Sequence, residues 1–527
     1  IMTKVIGFLI TKENKRPKVD FFNVDIKTIR IQHNCYSIYL WGIGDIEKYK
    51  IHGKYSLSFP LKDTLFDRNI LISFDGDKII IENDWLGSIP IFYNPKEKII
   101  STLSNLCQKN KTIDNEGLSN FCEFGYSVFE QTMFEDVKFM RYYSKIILLN
   151  DVKIEYKKDP VLDKSFLEKT SSEDEVIGLM QEYISDIESK IDGEIVLPTS
   201  GGYDSRILNY FVKDKKRIRA FTYGISKDQS QSIEVVHAKK ISDIYNTKWE
   251  QIELTEFHKY IEEWAKVYGF SSHLHGMYHI EFYSNIFKKN DFCNASFLSG
   301  IVGDAWAELD KFESIKKYQD VINLGYTHGI NLDLKHLIKS SEDVLKKQYF
   351  EEHKKHLESD KIKAIFTIRM KLMLISYLTQ IPEYFGMPVW TPFLNFDIVK
   401  STLNMPDERR KNRIWQRDFF KSVNLNLEDM NLKSIKSNKL DYEISQHAKL
   451  EKIDIELMGE YVNEKRLNEI NKILSSPTPF EKIKNQLLYV PKIGGVLRRL
   501  GFKNEYLKAL REYYVIKSIE KGLKNEF

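Results

Sequence analysis

The 527-residue chain is 42% hydrophobic and 29% charged, ordinary proportions for a protein that buries a core, and its length suits two or three domains. Seventy-nine Lys and Arg against seventy-five Asp and Glu leave a net charge of +4, too balanced to argue for a nucleic-acid or membrane partner. The longest apolar runs, such as Val5 to Ile10, fall far short of a bilayer span and no signal-peptide pattern is present, so a cytoplasmic location without a membrane span is expected.

From Val5 to Leu149 short apolar runs alternate with polar turns: Val5–Ile10, Ser37–Trp41, Ile70–Phe74, Lys78–Ile81, Ile89–Tyr93 and Lys145–Leu149. This rhythm predicts a mostly β first domain with a helix near Glu116–Phe124 and a hairpin at Asp75-Gly76. Cys35, Cys107, Cys122 and Cys293 are far apart and follow no metal-ligand spacing, which predicts free thiols, neither a disulfide nor a zinc site.

After a polar stretch from Tyr156 to Ser172 the period changes. Ile177, Met180, Ile184, Ile187 and Ile191 recur every three or four residues, and Ser172 and Glu175 are placed as a capping box, so a domain boundary is set near Pro160. Residues Ile195 to Ser205 then read I-V-L-P-T-S-G-G-Y-D-S: an apolar run, a diglycine turn, and an aspartate and a serine opening a helix. Such a turn brings bare backbone N–H groups at a positive helix end against a polyphosphate. Asp204 facing phosphates makes electrostatic sense with Mg²⁺ between them, so the turn predicts ATP and Mg²⁺.

Further strands are expected at Ile218–Tyr223, Lys248–Leu254 and Phe292–Leu298, with helices at Ser232–Tyr245 and Glu256–Tyr268 between them. That alternation argues for a doubly wound sheet with ligands at the carboxyl ends of its strands. From about Leu332 onward the pattern is largely helical.

The order serine, glycine, glycine, any residue, aspartate, serine at Ser200–Ser205 resembles the pyrophosphatase loop of the asparagine synthetase superfamily. Other segments match that family in order. Ser299-Gly300-Ile301-Val302-Gly303-Asp304 resembles its second loop, and Phe221–Gly224, followed by Glu234 and Ala238, resembles its adenine-side strand and helix. Trp390-Thr391-Pro392-Phe393-Leu394-Asn395 resembles R-x-P-F-L-D, Arg413 and Arg417 have the spacing of K-x-x-x-R, and Asp84 to Tyr93 resembles D-x-x-G-x-x-P-L-Y-Y.

The resemblance implies an α/β protein. An Ntn-hydrolase-like β-rich sandwich over 1–160, a degenerate glutaminase domain, precedes an ATP pyrophosphatase domain over 161–430. The latter is a doubly wound parallel sheet of the adenine nucleotide α-hydrolase-like kind, extended by a helical part over 431–527. By the same resemblance Ser200, Gly201, Gly202, Asp204, Ser205, Tyr223, Gly300, Arg413 and Arg417 bind ATP or its pyrophosphate, and Asp204 and Asp304 hold Mg²⁺. The substrates are a small-molecule or peptide carboxylate and an amine; the carboxylate is adenylated and the amine then attacks, with AMP and pyrophosphate released.

Departures from the family shape the chemistry. Thr3 stands where glutamine-using members carry a cysteine, and the glutamine-binding N-G-E segment has no counterpart, which argues against a working glutaminase. Loss of the glutaminase resembles the β-lactam synthetases and lasso-peptide cyclases of the family, and Ile301 and Pro388 occupy the places from which that branch supplies its base, neither accepting a proton. Yet an amine of ordinary pKa about 10.4 is neutral in roughly four molecules in ten thousand at about pH 7, a deficit on the order of 4–5 kcal/mol, so a base or a desolvating pocket is required. Substitute bases are His273, His275, His279, Glu308 and Glu383, and the oxyanion-holding lysine is sought among Lys433, Lys436 and Lys439, with Lys436 and Lys439 the catalytic candidates. Two alternatives stay open: a nucleotide-binding partner protein of a biosynthetic complex that has lost catalysis, and a glutamine-dependent asparagine synthetase using Thr3.

Overall fold

The computed structural model describes residues 4–524, apart from 23, 52, 59–63, 293, 309–312, 326–337, 339–341, 476–482, 484, 486 and 489–492. Thr3 and Cys293 therefore lie outside the described residues. The protein is mixed α/β, with two antiparallel sheets toward the N-terminus followed by a parallel sheet and helices.

The first eleven strands are β1 (Lys4–Thr11), β2 (Lys27–His33), β3 (Tyr36–Ile43), β4 (Lys54–Ser56), β5 (Ile70–Asp75), β6 (Lys78–Asn83), β7 (Phe92–Asn94), β8 (Ile99–Ser101), β9 (Lys138–Phe139), β10 (Ser144–Leu148) and β11 (Val152–Tyr156). They form a six-stranded sheet in the order β2-β3-β1-β8-β7-β9 and a five-stranded one in the order β11-β10-β6-β5-β4. The inward residues Val5, Phe8 and Leu40 of the first sheet meet Ile72, Ile81 and Ile146 of the second, closing a sandwich core. All eight residues of β1 are buried, because its other face, with Ile6, Leu9 and the neighbouring Tyr39 and Trp41, packs against Tyr384 and Phe385 of the helical body. At Gly7 a Cβ would come within 2.4 Å of the Trp41 ring, so only glycine admits that ring beside the strand. The hairpin at Asp75-Gly76 joins β5 to β6, with Asp75 opposite Lys78 and Gly76 at φ 56°.

The parallel sheet contains β12 (Ile195–Pro198), β13 (Ile218–Thr222), β14 (Lys248–Gln251), β15 (Ser296–Leu298) and β16 (Val389–Trp390), in the order β14-β13-β12-β15-β16. Both faces of the central strand β12 are covered, which is why Ile195–Leu197 reads as a continuous apolar run, whereas the edge strand β14 reads Lys-Trp-Glu-Gln and is partly exposed. Ile195 and Leu197 of β12 join Val176, Met180, Ile184 and Ile187 of the helix Glu173–Lys190, while Val196 joins Ile280 and Tyr283 of the helix Met277–Lys289 on the other side. The capping hydroxyl of Ser172 accepts from the Glu175 amide at 3.1 Å, one half of the predicted capping box, while the Glu175 carboxylate meets Lys169 at 3.1 Å.

Differences from the sequence reading are those of short, buried segments and of one edge strand. β14 and β15 end earlier or begin later than the apolar runs suggest, and β16 has two residues, too few to give a periodic signal. β2 is a seven-residue edge strand, exposed or half-buried except at Ile29, whose only apolar residues are Ile29 and Ile31, so it lacks the apolar run that marks the buried strands.

Two junctions tie the sandwich to the helical body. Trp85 Nε1 donates to the Leu394 carbonyl at 3.0 Å, and Arg369 pairs with both oxygens of Asp159 at 2.6 and 2.9 Å. The long C-terminal helix Glu505–Lys524 also reaches back: Gly522 packs on the Phe134 ring, and Gln108 Nε2 donates to the Gly522 carbonyl. Residues Asp360–Tyr384 have the length and apolarity of a membrane span, but 83% of the most apolar window is buried inside the protein.

Candidate functional site

In this sheet the chain runs from β12 to β13 on one side and returns to β15 on the other, so the order reverses between β12 and β15. Loops leaving the carboxyl ends of those two strands diverge and leave a crevice between them. A cleft of about 530 Å³ opens there, lined by Ser200, Gly202, Asp204 and Ser205 from the first loop and by Ser299, Gly300, Ile301, Val302 and Asp304 from the second.

The first loop is held from beneath. Gly201 has φ 74°, and a Cβ there would meet His237 Cβ at 2.2 Å, so both the turn and the packing demand glycine. Gly201 is thus the hinge of the turn rather than part of its lining. Arg206, buried and stacked over Tyr203 and Phe420, donates to the Gly201 carbonyl at 2.7 Å and forks onto both oxygens of Glu428 at 3.0 Å. Asn209 Nδ2 donates to Thr199 Oγ1 at 3.0 Å and to the Ser205 carbonyl at 2.8 Å. The Ser205 hydroxyl accepts from the Ser200 amide at 3.3 Å, and Gly202, without a side-chain cap, leaves the first turn of the helix Tyr203–Phe211 facing the cleft. Arg206 and Asn209 fall on the helix just past the diglycine and carried no signal of their own in the sequence.

The second loop carries a backbone outlier. Val302, a β-branched residue, sits at φ 54° immediately before the short helix Gly303–Ala307. Such a conformation costs on the order of 1–3 kcal/mol and persists only where its surroundings enforce it. Here the Gly303 Cα faces the Asp204 carboxylate so closely that a Cβ would lie 2.6 Å from Asp204 Cγ, and the Asp304 amide donates to that same carboxylate. The far end of the helix is fastened by buried Arg410, which donates to the Trp306 and Glu308 carbonyls, and by Trp415 Nε1, which donates to the Ala307 carbonyl at 2.9 Å.

Asp204 is half-buried, and its Oδ1 is enclosed without a hydrogen-bond partner. Burial and then the nearby Asp304 push its carboxyl up to about 7, with Arg413 pulling the other way. Asp304 itself is exposed at the rim. Two convergent carboxylates with an enclosed oxygen suit a hard divalent cation. Among the described residues no cluster of three or more His, Cys, Asp and Glu side chains forms, so such a cation would need further oxygens, of the kind phosphates supply.

The β13 end of the cleft is different. Phe221, Tyr223, Ile225, Phe282 and Tyr283 make an apolar wall, and Glu234 and His279 face into it. Glu234 is half-buried with Oε2 enclosed and without a partner, and burial raises its carboxyl. His279 lies 3.4 Å from the Tyr223 hydroxyl through Nε2, and burial, then His275, pulls its imidazole down to about 3.

Several sequence candidates stand elsewhere. Arg413 lines the cleft and donates to Glu308 at 2.9 Å, whereas Arg417 is exposed outside the lining. Lys436 is exposed and Lys439 half-buried; neither lines the cleft. Their segment runs beside the cleft, pairing through the Ile435 and Lys439 amides with the Gln231 and Ile225 carbonyls, and the pKa of His237 beneath the diglycine turn is lowered by burial, then Arg206, with Lys436 adding a smaller push. His273 is buried and His275 half-buried away from the lining, and desolvation holds His275 at about 4, so neither is a proton acceptor in this cleft. Glu383 is also no base: it is fully buried in an ion pair with Lys4 and Arg68 at the sandwich junction. The W-T-P-F-L-N segment is structural too, its Phe393 and Leu394 carbonyls accepting from Trp306 and Trp85.

A second cavity of about 550 Å³ lies between the sandwich and the helices Val344–His353 and Asp360–Ile375. Its charged groups neutralise one another, Arg141 lying 2.6 Å from Glu352 and 3.8 Å from Glu130, and Tyr156 donates to Glu130. The open carboxylates lie in the other cleft, which is therefore the better candidate for chemistry. Compared with known protein families and with curated proteins, the chain matches no family model and no curated relative.

Proposed function

We propose that the protein is an ATP-dependent amide ligase that forms AMP and pyrophosphate, with an Ntn-like sandwich as scaffold and an ATP pyrophosphatase-like sheet as catalytic body. The observation that carries this reading is the convergence of Asp204 and Asp304, from the loops after β12 and β15, on one cleft beside the diglycine turn. Asp204 and Asp304 would hold Mg²⁺, which when bound offsets phosphate charge and draws the Asp204 carboxyl into its ionised form.

The chain's own groups then have separate duties. The open first turn at Gly202–Ser205 and the guanidinium of Arg413 favour negative charge on the departing pyrophosphate. Glu234, at the apolar end with Tyr223, accepts from the exocyclic amine of adenine and disfavours guanine, whose oxygen there would face a carboxylate. The amine need not meet a general base. With Ile301 offering no proton acceptor in the second loop, the neutral form of the amine has to be favoured by desolvation in the cleft.

The test is magnesium-dependent exchange of labelled pyrophosphate into ATP across a panel of carboxylates, without and with Asp204→Asn. Exchange that requires a carboxylate and vanishes in the variant supports the ligase. ATP binding with no exchange across the panel favours the second reading, a nucleotide-binding partner protein, which the base-free second loop at Ile301 also supports.

A further inference from the structure

Thirteen large hydrophobic side chains are exposed among the described residues, and six of them, Ile483, Leu487, Ile493, Val496, Leu500 and Phe502, fall within twenty positions. The other seven are scattered from Phe66 to Ile435, as single exposed apolar residues usually are. The clustered set therefore asks for an explanation.

Its centre is the helix Ile493–Arg499. Ile493, Val496 and Leu500 recur at three- and four-residue spacing and are 47%, 56% and 68% exposed, so one side of the helix turns its apolar groups outward. The shape is fixed. Gly501 at φ 84° ends the helix, and the Phe502 amide reaches back to the Leu497 carbonyl at 3.0 Å, the bond of a Schellman cap. Gly494 seats the helix start against the Leu488 backbone, where a Cβ would meet the carbonyl at 2.1 Å.

Charge identifies what covers this face. Between Glu481 and Glu505 the sequence carries Lys482, Lys484, Lys492, Arg498, Arg499 and Lys503 and no acidic residue, in a chain otherwise close to charge balance. Arg499 and Lys503 are exposed beside the apolar residues. An exposed apolar strip in a segment whose only charged residues are cations matches an anionic bilayer surface, into which short apolar groups dip while cations meet the headgroups. We infer that this face attaches the protein peripherally to an anionic lipid surface. The inference stands apart from the nucleotide cleft and its chemistry.

Flotation of the full-length protein with phosphatidylcholine vesicles, with and without phosphatidylglycerol, tests it. Expected is binding to the anionic vesicles only, weakened by salt. Val496→Glu with Leu500→Glu should abolish binding. Arg499→Ser with Lys503→Ser should weaken it roughly thirtyfold, taking about 1 kcal/mol per cation. All four positions are exposed, so melting temperatures should match the parent, and a parent-like melt certifies each variant. No flotation, equal flotation with neutral vesicles, or a self-association in sedimentation velocity that the Val496→Glu, Leu500→Glu variant abolishes would each overturn the assignment.

Discussion

Glu383 and Asp204 are both carboxylates pressed into the interior, and the protein treats them in opposite ways. Glu383 is met by two cations, Lys4 from β1 and Arg68, whose guanidinium forks onto both its oxygens at 2.8 and 2.9 Å. Burial alone would raise its carboxyl, but Arg68 and then Lys4 hold it below its usual range. Asp204 is met by another acid and has an oxygen with no partner, and its carboxyl rises to about 7. A buried charge that is neutralised on the spot belongs to the architecture. One left open is a place prepared for something else.

The largest expected effect breaks the closed site. Glu383→Gln takes the carboxylate away from two buried cations, and denaturant titration should find about 3–5 kcal/mol of stability lost. Next comes the open site: Asp204→Asn should reduce pyrophosphate exchange by on the order of a hundredfold or more, yet leave the apoprotein no less stable. The sign follows from linkage. A carboxyl raised from 3.8 to about 7 on folding makes the folded state take up protons, so stability from this group is present at low pH and is lost as pH rises through that window. The asparagine variant should therefore melt about a few degrees higher than the parent at pH 8 and equally at pH 4, read by scanning calorimetry. Mg²⁺ affinity by isothermal titration should rise with pH until about 7 and then level off, because the cation must displace a proton below that point.

Smaller effects sharpen the contrast within the cleft. Glu234→Gln, which can donate as well as accept, should narrow the preference for ATP over GTP about tenfold in competition binding, one hydrogen bond's worth. Arg417→Ala should leave nucleotide affinity and melting within about 0.5 kcal/mol of the parent, since the side chain is exposed outside the cleft. A large loss there would return it to the site.

Legibility in the sequence followed the range of the interactions. Local patterns found the hairpin at Asp75-Gly76, the cap at Ser172 and the strand ending in the diglycine, since each is decided by residues a few positions apart. The same locality exposed Asp204. Arg206 donates to the Gly201 carbonyl while Glu428, 222 positions away, accepts from the same guanidinium, and no nearby pattern announces such a pair. Arginines within eight positions of one another separate only in space: Arg410 fastens the second loop, Arg413 enters the cleft, and Arg417 stays in solvent. Glu383 looked as eligible a base as any until Lys4, 379 residues away, was found against it.

By itself the sequence determined the alternation of strands and helices and the turn that can face a phosphate, because periodicity and glycine chemistry act within a few residues. Which charges are open and which are closed was decided only by the tertiary structure. Solvent exclusion and the nearest opposite charge set the fate of a carboxylate, and both are supplied by segments hundreds of residues distant in the chain.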